Sequence, residues 1–364
     1  MSSYNLLIID PQKDFHEGGN LAVSGATADS TKISEFVKSS DKNINKIFVS
    51  LDTHTNSHIG HPGYWNVLKE DSSVDETAVI EPFTIFSIDG DKIIGSSNGV
   101  TRTFTPKKPE LVEWTKKYIQ ELPSHGKGVP LIWPTHCLED QDGHKVCDVL
   151  KTALDALDQS KVEYHIKGQN EASEMYSIFK AEIPVDEEIT KDNYTKYYSG
   201  GFSNLKLTSK IDAPGTDVPD GIYLNTKFND ELYASLTQDG LSIVICGEAL
   251  SHCVNWSLRD LVEKLKSDTT KTMYCNNGKI VDGKIILLKN ASSPVPGFES
   301  NVSDLLKYCA DNNVSIKYLN DGSIVDTDSN PWEGAPHLKG GRKSRKSKKS
   351  KKSKKSRRAR KSRR

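Results

Sequence analysis

The sequence predicts a doubly wound α/β fold: a mostly parallel sheet of about six strands with helices on both faces. Three observations carry this. Short, nearly continuous runs of branched apolar residues recur at 6–9, 47–51, 162–166, 242–246, 285–288 and 314–319, which is how strands buried on both faces read. Between many of them lie stretches with helical spacing, such as Ile33, Phe36 and Val37, or Val149, Leu150, Ala153, Leu154 and Leu157. Several runs stop at polar or charged residues, namely Asp10, Asp52, Lys167 and the loop that begins at Gly247. In a parallel sheet ligands bind beyond the carboxyl ends of the strands, so these positions mark the edge where a site is expected.

At 364 residues, with 35% hydrophobic content, the chain can bury a sizeable core. No apolar run approaches the roughly 18 residues of a membrane span. The first residues lack the basic segment and long apolar stretch of a secretory signal, so secretion is not expected. The six cysteines, at 137, 147, 246, 253, 275 and 309, show no paired short spacings. That speaks against a disulfide framework or zinc ribbon and for reduced thiols in a cytosol-like compartment.

The formal charge of zero hides two different objects. Residues 339–364 hold 17 of the 49 basic side chains and no acid, leaving 32 basic against 49 acidic residues before them. The organisation expected is therefore an α/β domain over 1–325, a Pro- and Gly-rich linker over 326–341 and a basic tail over 342–364 that cannot bury a core. Within the domain, polar segments near 62–128 and 183–240 read as insertions or lid-forming loops. The tail interleaves Lys and Arg with Ser and lacks aromatics. This favours sequence-independent binding of polyanions such as nucleic acid over single-strand stacking. A nuclear address, an anionic-lipid contact or a solubilising tail against the acidic body are the other readings. In composition the tail also resembles the Ser-Lys-Arg tails of some proteins of large DNA viruses, which would add a viral particle to the cytoplasm and nucleus as locations.

The segment Gly247-Glu248-Ala249-Leu250-Ser251-His252-Cys253-Val254 joins a strand to an amphipathic helix whose inner face is Val254, Leu258, Leu261, Val262 and Leu265. Ser251 is the expected N-cap. Cys253 then falls in the first turn, where unpaired backbone N–H groups and the helix dipole stabilise a thiolate and can bind an oxyanion. Taken alone, a small buried cysteine is the plainer reading.

In company it reads differently. Residues Ile8-Ile9-Asp10-Pro11-Gln12-Lys13-Asp14-Phe15, Asp52-Thr53-His54, Trp133-Pro134-Thr135-His136-Cys137, Lys167-Gly168 and Gly247 to Val254 occur in one order at strand ends. This set resembles the nicotinamidase branch of the isochorismatase-like cysteine hydrolases. The resemblance implies a catalytic triad of Asp10, Lys167 and Cys253, with Asp10 taking the thiol proton and Lys167 holding both partners electrostatically. It also implies a cis peptide before Ala249, whose N–H would form an oxyanion hole with that of Cys253. Asp52, His54 and His136 would bind one divalent metal ion, Zn²⁺ first, or Fe²⁺ or Mn²⁺, that orients the ring nitrogen of the substrate. His58 and His61 stand nearby as further ligands, and Phe15 and Trp133 match aromatic positions of the substrate pocket.

The implied reaction is nicotinamide to nicotinate plus ammonia, feeding NAD salvage. Departures from the family's pattern leave the amide open. The connection from Asp52-Thr53-His54 to Trp133 is long, Thr53 replaces the usual aromatic, and the run after Gly168 keeps only Tyr176-Ser177 and Phe179. The rivals are a hydrolase of another amide or a carbamoyl compound, and a nucleic-acid-associated protein with a vestigial hydrolase domain. An isochorismatase proper fits less well, because that reaction does not require the cysteine. Assembly into a homo-oligomer is left open.

Overall fold

Alternation along the first strand sets the layers. In the computed structural model, which describes residues 3–125, 128–184 and 226–327, β1 (Tyr4–Ile9) sends Leu6 and Ile8 to one face of a sheet and Leu7 and Ile9 to the other. The first pair packs with Ile33, Phe36 and Val37 of α1 (Ala26–Ser40) and with Leu150, Ala153 and Leu154 of α3 (Asp148–Asp155). The second packs with Val254, Leu258, Leu261, Val262 and Leu265 of α5 (Cys253–Ser267), and with side chains of α4 (Asp230–Thr237) and α6 (Glu299–Asn312). Strands buried on both sides explain why their sequences are continuously apolar.

The other strands of this sheet are β2 (Ile44–Asp52), β7 (Val162–Lys167), β8 (Ser242–Gly247), β11 (Ile285–Leu288), β12 (Ser315–Asn320) and β13 (Ser323–Val325), while β9 (Cys275–Asn276) and β10 (Lys279–Ile280) pair in a separate antiparallel ribbon. Among the described residues the sheet has seven strands in the order β13-β12-β11-β8-β1-β2-β7, all parallel except β13 against β12. The expectation of about six strands thus misses β13. It is a three-residue return after a turn at Asp321 and Gly322, both at positive φ, and is too short to show as an apolar run. The chain leaves β1 toward β2 and later returns to β8 on its other side, and this reversal opens a crevice at the carboxyl ends of β1 and β8.

Residues 62–128 form more than a lid-like loop. They contain β3 (Trp65–Leu68), β4 (Ile85–Asp89), β5 (Lys92–Ser97) and β6 (Val100–Pro106) in an antiparallel sheet of order β3-β6-β5-β4, followed by α2 (Val112–Glu121). The segment has its own core of Trp65, Phe86, Ile93, Phe104, Trp114, Tyr118 and Ile119. Only one face of that sheet is covered, so each strand offers few apolar residues and the segment reads as polar. Gly95 is required here, because a Cβ would lie 2.6 Å from the Phe104 ring. The other expected insertion is described only at its edges, since 185–225 lie outside the described residues. Most of the linker and all of the tail lie outside them too. Among the described residues no helix is long and apolar enough to cross a membrane.

Trp65 ties this small sheet to the site. Its ring stacks on Phe86 at 4.1 Å, and its Nε1–H donates to the Ile59 carbonyl at 2.9 Å, fixing the loop that carries His58 and His61. Trp65→Ala is expected to cost about 3–5 kcal/mol, the usual range for emptying a buried aromatic site. Chemical denaturation of the purified protein measures it, and a loss below about 1 kcal/mol would contradict this packing account.

Candidate active site

Four strand ends converge where the sheet order reverses. Register pairs Ile9 with Gly247 and Asp52 with Lys167, so the residues just beyond β1, β2, β7 and β8 meet at one edge. Asp10, the first residue past β1, has φ 42° and is fully buried. Its N–H donates to Ser50 Oγ at 2.9 Å, and Ser50 Oγ–H donates to Asp10 Oδ1 at 2.5 Å. Lys167 Nζ lies 3.0 Å from Asp10 Oδ2, 2.9 Å from Asp52 Oδ1, 2.9 Å from the Met175 carbonyl and 3.7 Å from Cys253 Sγ. One ammonium therefore joins Asp10, Cys253 and Asp52. No donor is aligned on Asp10 Oδ2 as a hydrogen bond, although Nζ neutralises it at ion-pair distance.

Electrostatics follow from burial. Desolvation raises the Asp10 pKa and Lys167 works against that rise, which leaves a carboxylate more basic than usual. Burial also raises the Cys253 thiol well above its ordinary value, with Lys167 opposing, so the resting cysteine is a thiol that needs a base. For Lys167, desolvation disfavours the charge, but Asp10, Asp52 and Cys253 outweigh it and hold the ammonium well above its normal range.

Cys253 is the first residue of α5. The expected N-cap is displaced by one residue: His252 occupies it, with no side-chain cap. Ser251 Oγ instead contacts His252 Nδ1 at 2.9 Å and accepts the Val295 N–H at 3.0 Å. The reason is a tight entry, in which the Ala249 carbonyl accepts the N–H groups of both His252 and Val254. The peptide bond between Glu248 and Ala249 is cis. Among the described residues the N–H groups of Ala249 and Cys253 donate to no backbone carbonyl outside regular elements.

Asp52, His54 and His136 are buried together, with ligand atoms within 4.8 Å of one another. His54 Nδ1 lies 2.9 Å from the Gly168 carbonyl and His136 Nδ1 lies 2.8 Å from that of Pro134. Those acceptors orient each ring so that its Nε2 faces Asp52 Oδ2, at 3.0 and 3.4 Å, and the carboxylate raises the His54 pKa against the opposing effect of burial. Two imidazole nitrogens and a carboxylate oxygen converging in a buried site are a donor set that suits a divalent cation, and the carbonyls hold the rings as outer partners of metal-bound histidines do. Gly168, at φ 79°, allows this closeness, since a Cβ there would sit 2.7 Å from both Asp52 Oδ1 and His54 Cε1.

The neighbouring histidines differ. His58 is occupied at both nitrogens, Nδ1 accepting the Gly60 N–H at 3.1 Å and Nε2 donating to the Ser173 carbonyl at 3.2 Å. His61 uses Nδ1 on the Thr55 carbonyl at 3.2 Å and turns Nε2 to His136 Nδ1 at 3.2 Å. Burial lowers the pKa of both, so they are neutral.

A small cavity touches Cys253, Ala249, Asp52 and His136 and is walled by Phe15, Leu21, Trp133, Glu174, Tyr176, His252 and Val295. Phe15 meets the edge of the His136 ring, and Trp133 Nε1–H donates to Tyr176 Oη at 3.0 Å. Sequence reasoning missed several of these residues. Gln12 clamps the Asp52 backbone, accepting its N–H at 2.7 Å and donating to its carbonyl at 2.6 Å. Asp14 accepts the Cys137 N–H at 2.6 Å, which fixes the chain beside His136. Both lie in the motif around Asp10, where two further polar residues in a buried-strand exit were the available signal. Glu174, whose carboxyl is held up by burial, had no such marker.

No protein-family model and no curated protein sequence matches the chain. Its fold is similar to solved nicotinamidases and pyrazinamidases. One from Acinetobacter baumanii is 14% identical, with 87% of this chain and 96% of that one covered and a TM-score of 0.47. The yeast nicotinamidase is 15% identical over 89% of this chain and all of its own, with a TM-score of 0.47. A pyrazinamidase of Pyrococcus horikoshii, solved in complex with zinc, is 15% identical over 87% and 99%, with a TM-score of 0.42.

Proposed function

We propose that this protein is a cysteine amidohydrolase that converts a carboxamide, nicotinamide in the first instance, to the acid and ammonia. The observation that carries the reading is Lys167 Nζ within 3.0 Å of Asp10 and 3.7 Å of Cys253 Sγ at the start of α5. Asp10 Oδ2 accepts the Sγ proton, and its raised pKa suits a base that must return it. The thiolate attacks the amide carbon, and the oxyanion forms against the N–H groups of Ala249 and Cys253. Collapse breaks the C–N bond, and ammonia leaves with the proton from Asp10. Water, deprotonated by Asp10, then cleaves the thioester to the carboxylate and restores the thiol. Throughout, Lys167 keeps a positive charge beside both partners.

Asp52, His54 and His136 are the residues that would hold a divalent ion, Zn²⁺ by donor chemistry, supplying a Lewis-acid contact for a ring nitrogen of the substrate. Phe15 and Trp133 wall the space in which such a ring would lie. In this reading the product supplies NAD salvage. The test follows ammonia release from nicotinamide, pyrazinamide and carbamoyl amides. Release from none of them would overturn the amidohydrolase reading, and release from carbamoyl compounds alone would reassign the substrate.

The basic tail is assigned a separate role, polyanion binding, on composition. Truncation after Gly341 should leave kcat/KM for a neutral amide within about twofold, since such a substrate gains little from a distant field. It should also abolish salt-sensitive retention on duplex DNA. A truncated protein that still binds DNA would contradict this division.

A further inference from the structure

A second cavity abuts the first. This cleft, of about 540 Å³, shares Trp133, Tyr176 and His252 with the small cavity around Cys253 and extends along α5 past Asn255, Trp256 and Arg259 to Tyr308 of α6. His252, Asn255, Trp256 and Arg259 follow the spacing i, i+3, i+4, i+7, so one helical face runs from the nucleophile's cavity into the cleft. Trp133, Tyr176, Trp256, Phe298 and Tyr308 give the wall its aromatic rings, and its far end carries Arg259 and Lys307 beside Asp304 and Asp311.

Arg259 is half-buried. Its Nε–H donates to Asn255 Oδ1 at 2.7 Å, and its guanidinium lies 4.3 Å from the Tyr308 ring centre and 5.3 Å from that of Trp256. Among the described residues no carboxylate lies within ion-pair distance of it. The surrounding acids are partly engaged elsewhere, Asp311 with Lys307 at 2.8 Å and Glu263 with Lys266 at 3.1 Å. Asp304 also lines the cleft and acts on Arg259 only from beyond contact. A guanidinium positioned by rings and an amide, partly desolvated and without a carboxylate partner among the described residues, is poised for an anion.

Resting on the amidohydrolase reading, we propose that this cleft is a second substrate subsite, in which Trp133, Trp256 and Tyr308 hold an extended arm of the amide and Arg259 binds an anionic group at its end. The substrate is then an anionic amide longer than a single ring. Arg259 follows Cys253 by six positions in α5, a rise of about 9 Å along the helix axis.

The test uses the full chain with its metal and three probes. Each is nicotinamide bearing a short alkyl arm on ring carbon 5, not adjacent to the ring nitrogen, ending in carboxylate, phosphate or hydroxyl. The charged arms should raise kcat/KM over the hydroxyl arm by about tenfold, the order of one charge-assisted contact. Whichever of carboxylate and phosphate gains more identifies the anion. Arg259→Gln should bring the ratio close to unity, and Arg259→Lys, which keeps the charge, should retain most of it. Equal turnover of charged and neutral probes by the wild type, or a ratio that survives Arg259→Gln, overturns the proposal. Should neither nicotinamide nor any probe be hydrolysed, the amidohydrolase reading fails; in that case, or if nicotinamide alone is hydrolysed, tryptophan fluorescence titration decides the subsite by itself. Tighter binding of the charged arms that is lost in Arg259→Gln upholds it, and equal binding overturns it.

Discussion

Replacing Cys253 by Ala is expected to lower amide turnover by a factor on the order of 10⁴ or more, with the fold retained, because the bond-forming atom is gone and no other thiol can take its place. Among the other cysteines, Cys137, Cys246 and Cys309 are fully buried, and none borders the small cavity. Asp10→Asn should also be severe, since the thiol's raised pKa leaves almost no thiolate without a base. Ammonia assays on both variants, with near-ultraviolet circular dichroism to verify packing, measure this. Turnover within tenfold of wild type in Cys253→Ala would remove the mechanism.

The second large effect concerns Asp52, His54 and His136. The purified protein is expected to carry about one divalent ion per chain, and His54→Ala or His136→Ala should reduce occupancy by at least about tenfold, since each removes one of three protein ligands. Elemental analysis checks this directly. Asp52→Asn should do more. Its Oδ1 pairs with Lys167 at 2.9 Å while Oδ2 faces both histidines, so the substitution disturbs the ion and the ammonium beside the nucleophile together. Stripping the metal should raise KM for a ring amide more than it lowers thermal stability. Full activity in a metal-free, chelator-treated protein would contradict the assignment.

Much of this architecture is legible in the amino-acid sequence, for a physical reason. Strands buried on both faces must be apolar throughout, so β1, β2, β8 and β11 announce themselves, while β7 and β12, half-buried, show only as mixed runs, and the polar residue that ends a run marks the carboxyl edge of the sheet. Asp10, Asp52 and Lys167 are visible for that reason, and the glycine loop before α5 makes Cys253 visible. What hides is what one-sided burial or tertiary contact decides. The strands β3 to β6 cover only one face and look like polar loop. The cap of α5 shifts because Ala249 accepts two N–H groups, a long-range outcome of the turn that Val295 and Ser293 brace. Arg259 carries no motif at all. Its meaning comes from its place in the cleft between Trp256 and Tyr308, with no carboxylate at ion-pair distance among the described residues, which spacing along the chain does not encode.

The central claim is that Cys253 Sγ becomes covalently bound to the acyl half of the amide. The most direct measurement is mass spectrometry of acid-quenched single turnovers, followed by peptide mapping. With nicotinamide, the account predicts a nicotinoyl adduct on the peptide containing Cys253, formed and lost within one turnover and absent in Cys253→Ala. Ammonia released at the wild-type rate by Cys253→Ala, with no adduct on any cysteine of the wild type, would contradict it.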